Sequence, residues 1–184
     1  MDRARSVEPP ADTLIATLYD DADLADAFAI ALKPEDARLP AEVLALAMMA
    51  KPPMWSLALL AIRDAVMGVF GVKSSRQILN DAIAARADHI GMFRILARRD
   101  HEVVLGENDR HLDFRLSVMT RPSPSGGVEL VATSIAHCHN RLGQIYLTAI
   151  MPFHKLIVRA SLVRAARADN KLQTAMDQGY ERAS

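Results

Sequence analysis

The sequence is poor in several features that would identify a class of protein. Of its 184 residues only Cys138 is a cysteine, so no intrachain disulfide can form and a reducing compartment is expected. The formal net charge is zero and aromatic residues make up 5%, so a nucleic-acid partner is not expected. Apolar runs such as LALAMMA are too short to span a bilayer, and the N-terminus lacks the apolar core of a signal peptide. We therefore expect a cytoplasmic protein without a membrane partner.

Apolar residues, by contrast, are abundant. They make up 51% of the chain, enough for the core of one domain. We expect a loosely ordered N-terminal segment over 1–19 and a single domain over 20–168. Residues 169–184 are expected to extend the last helix or to form a tail.

The spacing of apolar residues predicts a strand and two helices in the first half of the chain. Phe28, Ile30 and Leu32 alternate, which indicates a strand. Pro40 then begins a short helical run. Apolar residues at steps of three and four predict a second helix over 54–70.

From about residue 88 the apolar period changes to that of strands, joined by short polar turns that predict antiparallel pairing. The predicted strands cover 88–99, 102–106, 109–120, 128–139 and 142–150. Pro152 is predicted to begin a long amphipathic helix whose apolar stripe consists of Phe153, Leu156, Ile157, Ala160 and Val163. This order predicts an α+β fold in which a curved antiparallel sheet wraps around a long C-terminal helix, with two short helices after the first strand. Such an arrangement often leaves a cavity for a small ligand between sheet and helix.

Five blocks of sequence give the chain a resemblance to a known family. They are DLADAF (23–28), WSLALLAIRDAVMGVFGVK (55–73), LGENDRHLDFRLSV (105–118), HNRLGQIYL (139–147) and PFHKLIV (152–158). With them the chain resembles DUF2867, a bacterial family of unknown function, over about residues 20–167. The resemblance implies the layout of the START and pollen-allergen helix-grip superfamily, whose members mostly bind apolar or amphipathic small molecules.

The resemblance assigns no catalytic residues, because none are established for the family. Related domains are appended to NAD-dependent epimerase-like proteins. This chain has no glycine-rich phosphate loop after a strand, so we expect no cofactor.

Our first hypothesis is a small-molecule-binding module whose ligand lies between the sheet and the C-terminal helix. The residues that would line the site are Trp55, Phe93, Phe114, Tyr146, Phe153, His154 and Ile157. The alternative for the apolar members of this set is an ordinary place in the core. His154, in the first turn of the predicted helix, would either meet the polar end of the ligand or bond the turn at 140–143.

The rival hypothesis is an enzyme of lyase, cyclase or hydrolase type. It would use His111 with Asp109 or Asp113 as acid and base, since these residues alternate along one predicted strand face. The alternative is that the charged row is the solvent face of the sheet. Burying the opposite row, which includes Phe114 and Leu116, gains about 25 cal/mol per Å² of apolar surface. Burying unpaired charges costs several kcal/mol each, so we predict that the apolar row faces the helix.

Two further hypotheses rest on small clusters. His137 and His139 share a strand face and could bind zinc with His111 or Asp113. No CxxC or HExxH spacing accompanies them, so we expect no metal site. A structural homodimer is also left open, and the apolar patch that it would need has three candidates: Met48, Met49 and Met54.

Overall fold

The fold is a single antiparallel sheet packed against helices. The computed structural model describes residues 3–50, 54, 77 and 88–167. The strands within these ranges are β1 (Arg5–Val7), β2 (Leu24–Ala31), β3 (His89–Ile90), β4 (Phe93–Arg99), β5 (Glu102–Asn108), β6 (Leu112–Pro122) and β7 (Val128–Cys138). The α-helices in the same ranges are α1 (Ala41–Met49) and α2 (Arg141–Ala165). The strands run in the order β1-β2-β7-β6-β5-β4-β3, and all neighbours are antiparallel. The predicted α+β class, a curved antiparallel sheet against a C-terminal helix, is confirmed.

One face of the sheet, here called the inner face, holds the main hydrophobic core. On β6 it carries Leu116 and Val118, which pair with Leu105 of β5 and Ala132 of β7. These residues are buried together with apolar residues of α1 and of the second half of α2, among them Leu162. The prediction that the apolar row of β6 is the covered side is therefore confirmed, but the helix nearest to β6 is α1, whereas α2 lies over β2 and β7.

The opposite face of the sheet, here called the outer face, is covered in part by the N-terminal segment. β1 pairs with β2, and a short 3-10 helix over Ala16–Leu18 follows. Ile15 packs against Val104 and Ile135 of the outer face. The sequence predicts loose order for residues 1–19, whereas the structure places a strand and buried side chains there.

A buried carboxylate fixes this N-terminal segment to the outer face. Glu102, the first residue of β5, is 0% exposed. Its carboxylate accepts hydrogen bonds from the Thr13 hydroxyl, from the Ser117 hydroxyl at 2.6 Å and from the Leu14 backbone N–H at 3.0 Å. The Arg99 guanidinium lies 3.7 Å away. A buried charge is tolerated only when it is paired and hydrogen-bonded, and these four partners meet that condition.

The long C-terminal helix begins at Arg141 and not at Pro152. Asn140 is its N-cap, because the Asn140 side-chain oxygen accepts a hydrogen bond from the Gly143 backbone N–H at 3.1 Å. The strand predicted over 142–150 is therefore wrong, and Pro152 lies inside the helix. The segment is rich in β-branched and aromatic residues, but strand propensity is weak enough for a cap and tertiary packing to override it.

The buried side of α2 also differs from the predicted stripe. Phe153 is 41% exposed and Leu156 is 57% exposed. The buried apolar residues of the second half are instead Val158, Leu162 and Ala165. The side of α2 that faces the sheet carries His154, Val158, Leu162 and Ala165 at steps of three and four, and Phe153 and Leu156 lie off that side.

The hairpin between β5 and β6 is displaced from its predicted position. β5 continues to Asn108 and β6 begins at Leu112, so Asp109 and His111 lie in the connection. The Asp109 backbone N–H donates to the Leu112 carbonyl oxygen at 3.1 Å and closes the turn. The strand predicted over 109–120 therefore starts later, and the charged row is not continuous. Asn and Asp favour turns, which accounts for the shift.

Several predictions concern residues outside the ranges that the structure describes. The helix predicted over 54–70 lies outside the described residues apart from Met54, as do Trp55 and the expected C-terminal extension over 169–184. Of the three methionines proposed for a dimer patch, Met48 is buried, Met49 is half-buried and Met54 is exposed. Within the described ranges, no helix combines the length and hydropathy needed to cross a membrane.

Candidate ligand site

The inner face is closed at one end and more open at the other. On β6, Leu116 and Val118 are buried, whereas Leu112 and Phe114 near the start of the strand are only half-buried. Cys138, which pairs with Leu112 at the end of β7, is also half-buried. The more open end therefore lies where β6 begins and β7 ends, close to the start of α2.

The N-terminal half of α2 covers this end loosely. Val158 and Leu162 of the second half are buried. Tyr146, Ile150 and His154 follow one another at steps of four residues, so they fall on one side of the helix. All three are half-buried. Helix and sheet thus both present apolar side chains at this end that the described residues leave partly exposed.

Three polar side chains converge inside this largely apolar interface. Asp26 of β2 and Ser134 of β7 are direct partners in the strand register. They share the inner face with Phe28 and Ala132, because the strand period is two. From α2, His154 Nε2 lies 3.1 Å from Asp26 Oδ1. The side chains of His154 and Asp26 are 13% and 15% exposed, so the pair is largely withdrawn from solvent.

Two atoms of this group are buried without a hydrogen-bond partner among the described residues. They are Asp26 Oδ2 and Ser134 Oγ, and Ser134 as a whole is 0% exposed. A buried polar atom left unpaired costs about 1–3 kcal/mol. Natural structures contain few such atoms, and each calls for an explanation such as a bound molecule.

Cys138 borders this site, but its thiol is a poor nucleophile. Burial, together with the nearby Asp23 carboxylate, raises the pKa of Cys138 to about 11. Asp23 Oδ2 also accepts a hydrogen bond from the Cys138 backbone N–H at 2.6 Å. Because the thiolate is the reactive form, the neutral thiol at physiological pH is a packing group.

His111, a predicted catalytic candidate, supports the start of α2. Its Nδ1 lies 3.0 Å from Asn140 Nδ2, and Asn140 Nδ2 also donates to the Arg110 carbonyl oxygen at 3.2 Å. The helix passes very close to this hairpin at Gly143. A Cβ on Gly143 would come within 2.1 Å of the His111 carbonyl oxygen, so only glycine fits there. His111 therefore lies beside the helix cap.

The other two catalytic candidates occupy separate places. Asp113 lies on the outer face, where its Oδ1 is 3.1 Å from His139 Nε2, and it pairs in register with His137. The Asp109 carboxylate accepts a hydrogen bond from the Arg110 backbone N–H at 2.6 Å. The structure thus brings neither carboxylate together with His111. Across the described part of the chain, no group of three or more His, Cys, Asp or Glu side chains could hold a metal ion.

Some of the predicted lining residues do meet. The rings of Phe93 and Phe114 pack at 5.4 Å between centroids, at the margin of the main core. Tyr146, Ile157 and His154 are half-buried along α2. Phe153 lies on the solvent side of α2, where it is more exposed than the other predicted lining residues of this helix.

A comparison with known protein families finds a match over most of the chain. A family model described as DUF2867, protein of unknown function, matches residues 18–161. The chain belongs to this family. The match includes Asp26, Ser134 and His154, so the polar group of this DUF2867 protein lies within the part that defines the family. No curated protein and no solved structure matches the chain.

Sequence reasoning missed two of the three polar residues in this DUF2867 chain. Asp26 shares a strand face with Leu24 and Phe28, and a carboxylate inside an apolar row was a detectable signal. Ser134 gave a weaker signal, because small hydroxyl residues are common on buried strands. His154 was singled out, but for the start of a helix that in fact begins at Arg141.

Proposed function

We propose that this protein binds a small amphipathic molecule at the open end of the interface between the sheet and α2. The observation that carries the proposal is the pair of buried, unpaired polar atoms, Asp26 Oδ2 and Ser134 Oγ, within a largely apolar surface. A ligand pocket usually combines apolar walls with a few convergent polar groups that orient the ligand. The open end supplies the apolar walls, and the polar pair lies next to it, since Ser134 is the direct partner of Leu116, where β6 becomes buried.

The apolar part of the ligand would lie against the half-buried residues of the open end. Phe114 and Leu112 of β6 lie on one side, and Tyr146 and Ile150 of α2 lie on the other. Adding apolar contacts here removes exposed apolar surface from water, which stabilises the complex by about 25 cal/mol per Å². The helix-grip domains that the sequence resembles in layout mostly bind molecules of this kind.

A second candidate function is proton transfer on the bound molecule. The specific observation that favours it is the hydrogen-bonded carboxylate and imidazole of Asp26 and His154, 3.1 Å apart in a mostly buried setting. A histidine oriented by a carboxylate is a common general acid or base. These residues replace His111 and Asp113 as the enzyme candidates, since the latter pair is not assembled.

The decisive experiment is native mass spectrometry of the protein purified from its own cells. We expect a retained small molecule on the wild type that is lost from Asp26→Asn and Ser134→Ala. Asp113→Asn is the matched control, because it makes the same chemical change on the outer face and should retain the molecule. Equal retention by Asp26→Asn and Asp113→Asn would contradict the proposed site.

The same material separates binding from catalysis. The extracted molecule is incubated in D₂O with fresh wild type and with His154→Gln, and its mass is followed. Binding alone predicts no change in mass beyond rapid exchange at hydroxyl and amine groups. Uptake of deuterium at carbon that requires His154 would favour the second candidate.

A further inference from the structure

We propose that the ligand carries a neutral hydroxyl group, as in an alcohol or a phenol, and that the site rejects carboxylates. This inference rests on the proposed function and adds the chemical class of the polar end. Its basis is the identity and spacing of the two unpaired atoms. When the carboxylate is ionised, Asp26 Oδ2 accepts hydrogen bonds and cannot donate one. The Ser134 hydroxyl can donate one.

The register fixes the distance between these groups. Asp26 and Ser134 are directly opposite on neighbouring antiparallel strands. Such partners have Cβ atoms about 4.5–5.5 Å apart. A single oxygen placed between the two side chains can therefore bond to both of them. A hydroxyl group of the ligand satisfies both atoms, because its O–H donates a hydrogen bond to Asp26 Oδ2 and its oxygen accepts one from the Ser134 hydroxyl.

Other polar ends satisfy this pair less well. A carboxylate has no proton to donate and would meet the negative charge of Asp26 at close range. An aldehyde can accept from Ser134 but leaves Asp26 Oδ2 unpaired. An ammonium group can donate to Asp26, but it must lose its hydration in a largely apolar interface, and the other oxygen of Asp26 already lies 3.1 Å from His154 Nε2.

The test compares four molecules with the same apolar chain: 1-octanol, octanoate, octanal and octylamine. Their dissociation constants for the full-length protein are measured by isothermal titration calorimetry at neutral pH. We expect 1-octanol to bind at least about tenfold more tightly than octanoate and octanal, and more tightly than octylamine. Asp26→Asn should remove most of the discrimination against octanoate, because the amide can donate to a carboxylate.

Ser134→Ala provides a second variant, with a smaller change to the fold. It should weaken 1-octanol several-fold and leave octylamine nearly unchanged, while Asp113→Asn should leave all four constants as in the wild type. Tighter binding of octanoate, octanal or octylamine than of 1-octanol would overturn the inference and leave the binding function standing. Equal binding of all four would do the same. If none of the four binds, the proposed function itself is contradicted.

Discussion

Replacing Glu102 with glutamine tests how firmly the N-terminal segment is held. Glu102 is 0% exposed, and its carboxylate accepts from Thr13, Ser117 and the Leu14 backbone N–H. In Glu102→Gln one carboxylate oxygen becomes an NH₂ group, which can only donate. The amide can turn its oxygen toward the Leu14 N–H and the Arg99 guanidinium, and its NH₂ then faces the Thr13 and Ser117 hydroxyls, which must change from donors to acceptors.

The size of the effect follows from these contacts. Hydrogen bonds to a charged group are worth roughly 1.5–3 kcal/mol, and Glu102→Gln weakens several of them at once. We therefore expect Glu102→Gln to lower the free energy of unfolding by about 1.5–3 kcal/mol. Native domains have only about 5–15 kcal/mol in total, so this loss is a large fraction of the stability.

Urea unfolding followed by circular dichroism measures this difference. Glu8→Gln is the control, because it makes the same chemical change at an exposed position of the same segment and should stay within about 0.5 kcal/mol of the wild type. A loss below about 1 kcal/mol for Glu102→Gln would refute the argument. It would mean that the carboxylate is hydrated, or that the N-terminal segment does not cover the outer face in solution.

Three further predictions concern other parts of the fold. Leu116→Ala should lower the free energy of unfolding by about 2–5 kcal/mol as a core truncation, while Asp113→Asn should cost less than about 1 kcal/mol in the same urea titration. A larger loss for Asp113→Asn than for Leu116→Ala would mean that the charged side of β6 faces the core. Asn140→Ala removes the N-cap of α2 and should cost about 0.5–2 kcal/mol, with faster hydrogen exchange in the first turn of that helix; unchanged exchange there would argue against the cap. Burial, together with the charges of Glu102 and Asp12, raises the pKa of Tyr19 to about 12, so its contribution to stability is complete below pH 10 and is lost as pH rises from 10 to 12. An ultraviolet titration should show one tyrosine with a midpoint near 12 that is absent from Tyr19→Phe; a curve unchanged by the substitution would contradict the assignment.

The sheet was largely predictable because its strands alternate clearly. Leu116 and Val118 on one side of β6, and Arg115 and Ser117 on the other, follow the period of two, and the energy difference between burying leucine and burying a charge decided the face. The α+β class followed from the order of these strands and one long amphipathic segment.

The start of α2 was not predictable from period alone. Ile145, Tyr146 and Ile150 belong to residue types that favour strands, and Pro152 resembles the first residue of a helix. The residues that decide where α2 begins are Asn140, its N-cap, and Gly143 in its first turn. The effect of that glycine depends on the His111 carbonyl oxygen, and such a contact is invisible in a linear pattern.

The candidate site was only partly predictable, for a similar reason. His154 stood out by its type, but its partner Asp26 lies 128 positions away in the chain. The pairing exists only because β2 inserts beside β7, the last strand of the sheet in the sequence. A pattern restricted to neighbouring residues carries no information on that pairing. Thr13 and Glu102, 89 positions apart, were missed for the same reason.

The hydrogen bonds between Glu102 and the N-terminal segment affect where a fragment of this protein should begin. The family match begins at residue 18, so a fragment designed on it would lose Thr13 and the Leu14 backbone N–H. Glu102 would then lose two of its four partners and keep the Ser117 hydroxyl and the Arg99 guanidinium. The same cut would uncover Val104 and Ile135, which Ile15 protects. A fragment prepared for binding or crystallisation work should therefore start before β1. One that starts at the family boundary would combine a carboxylate that has lost two partners with newly exposed apolar surface.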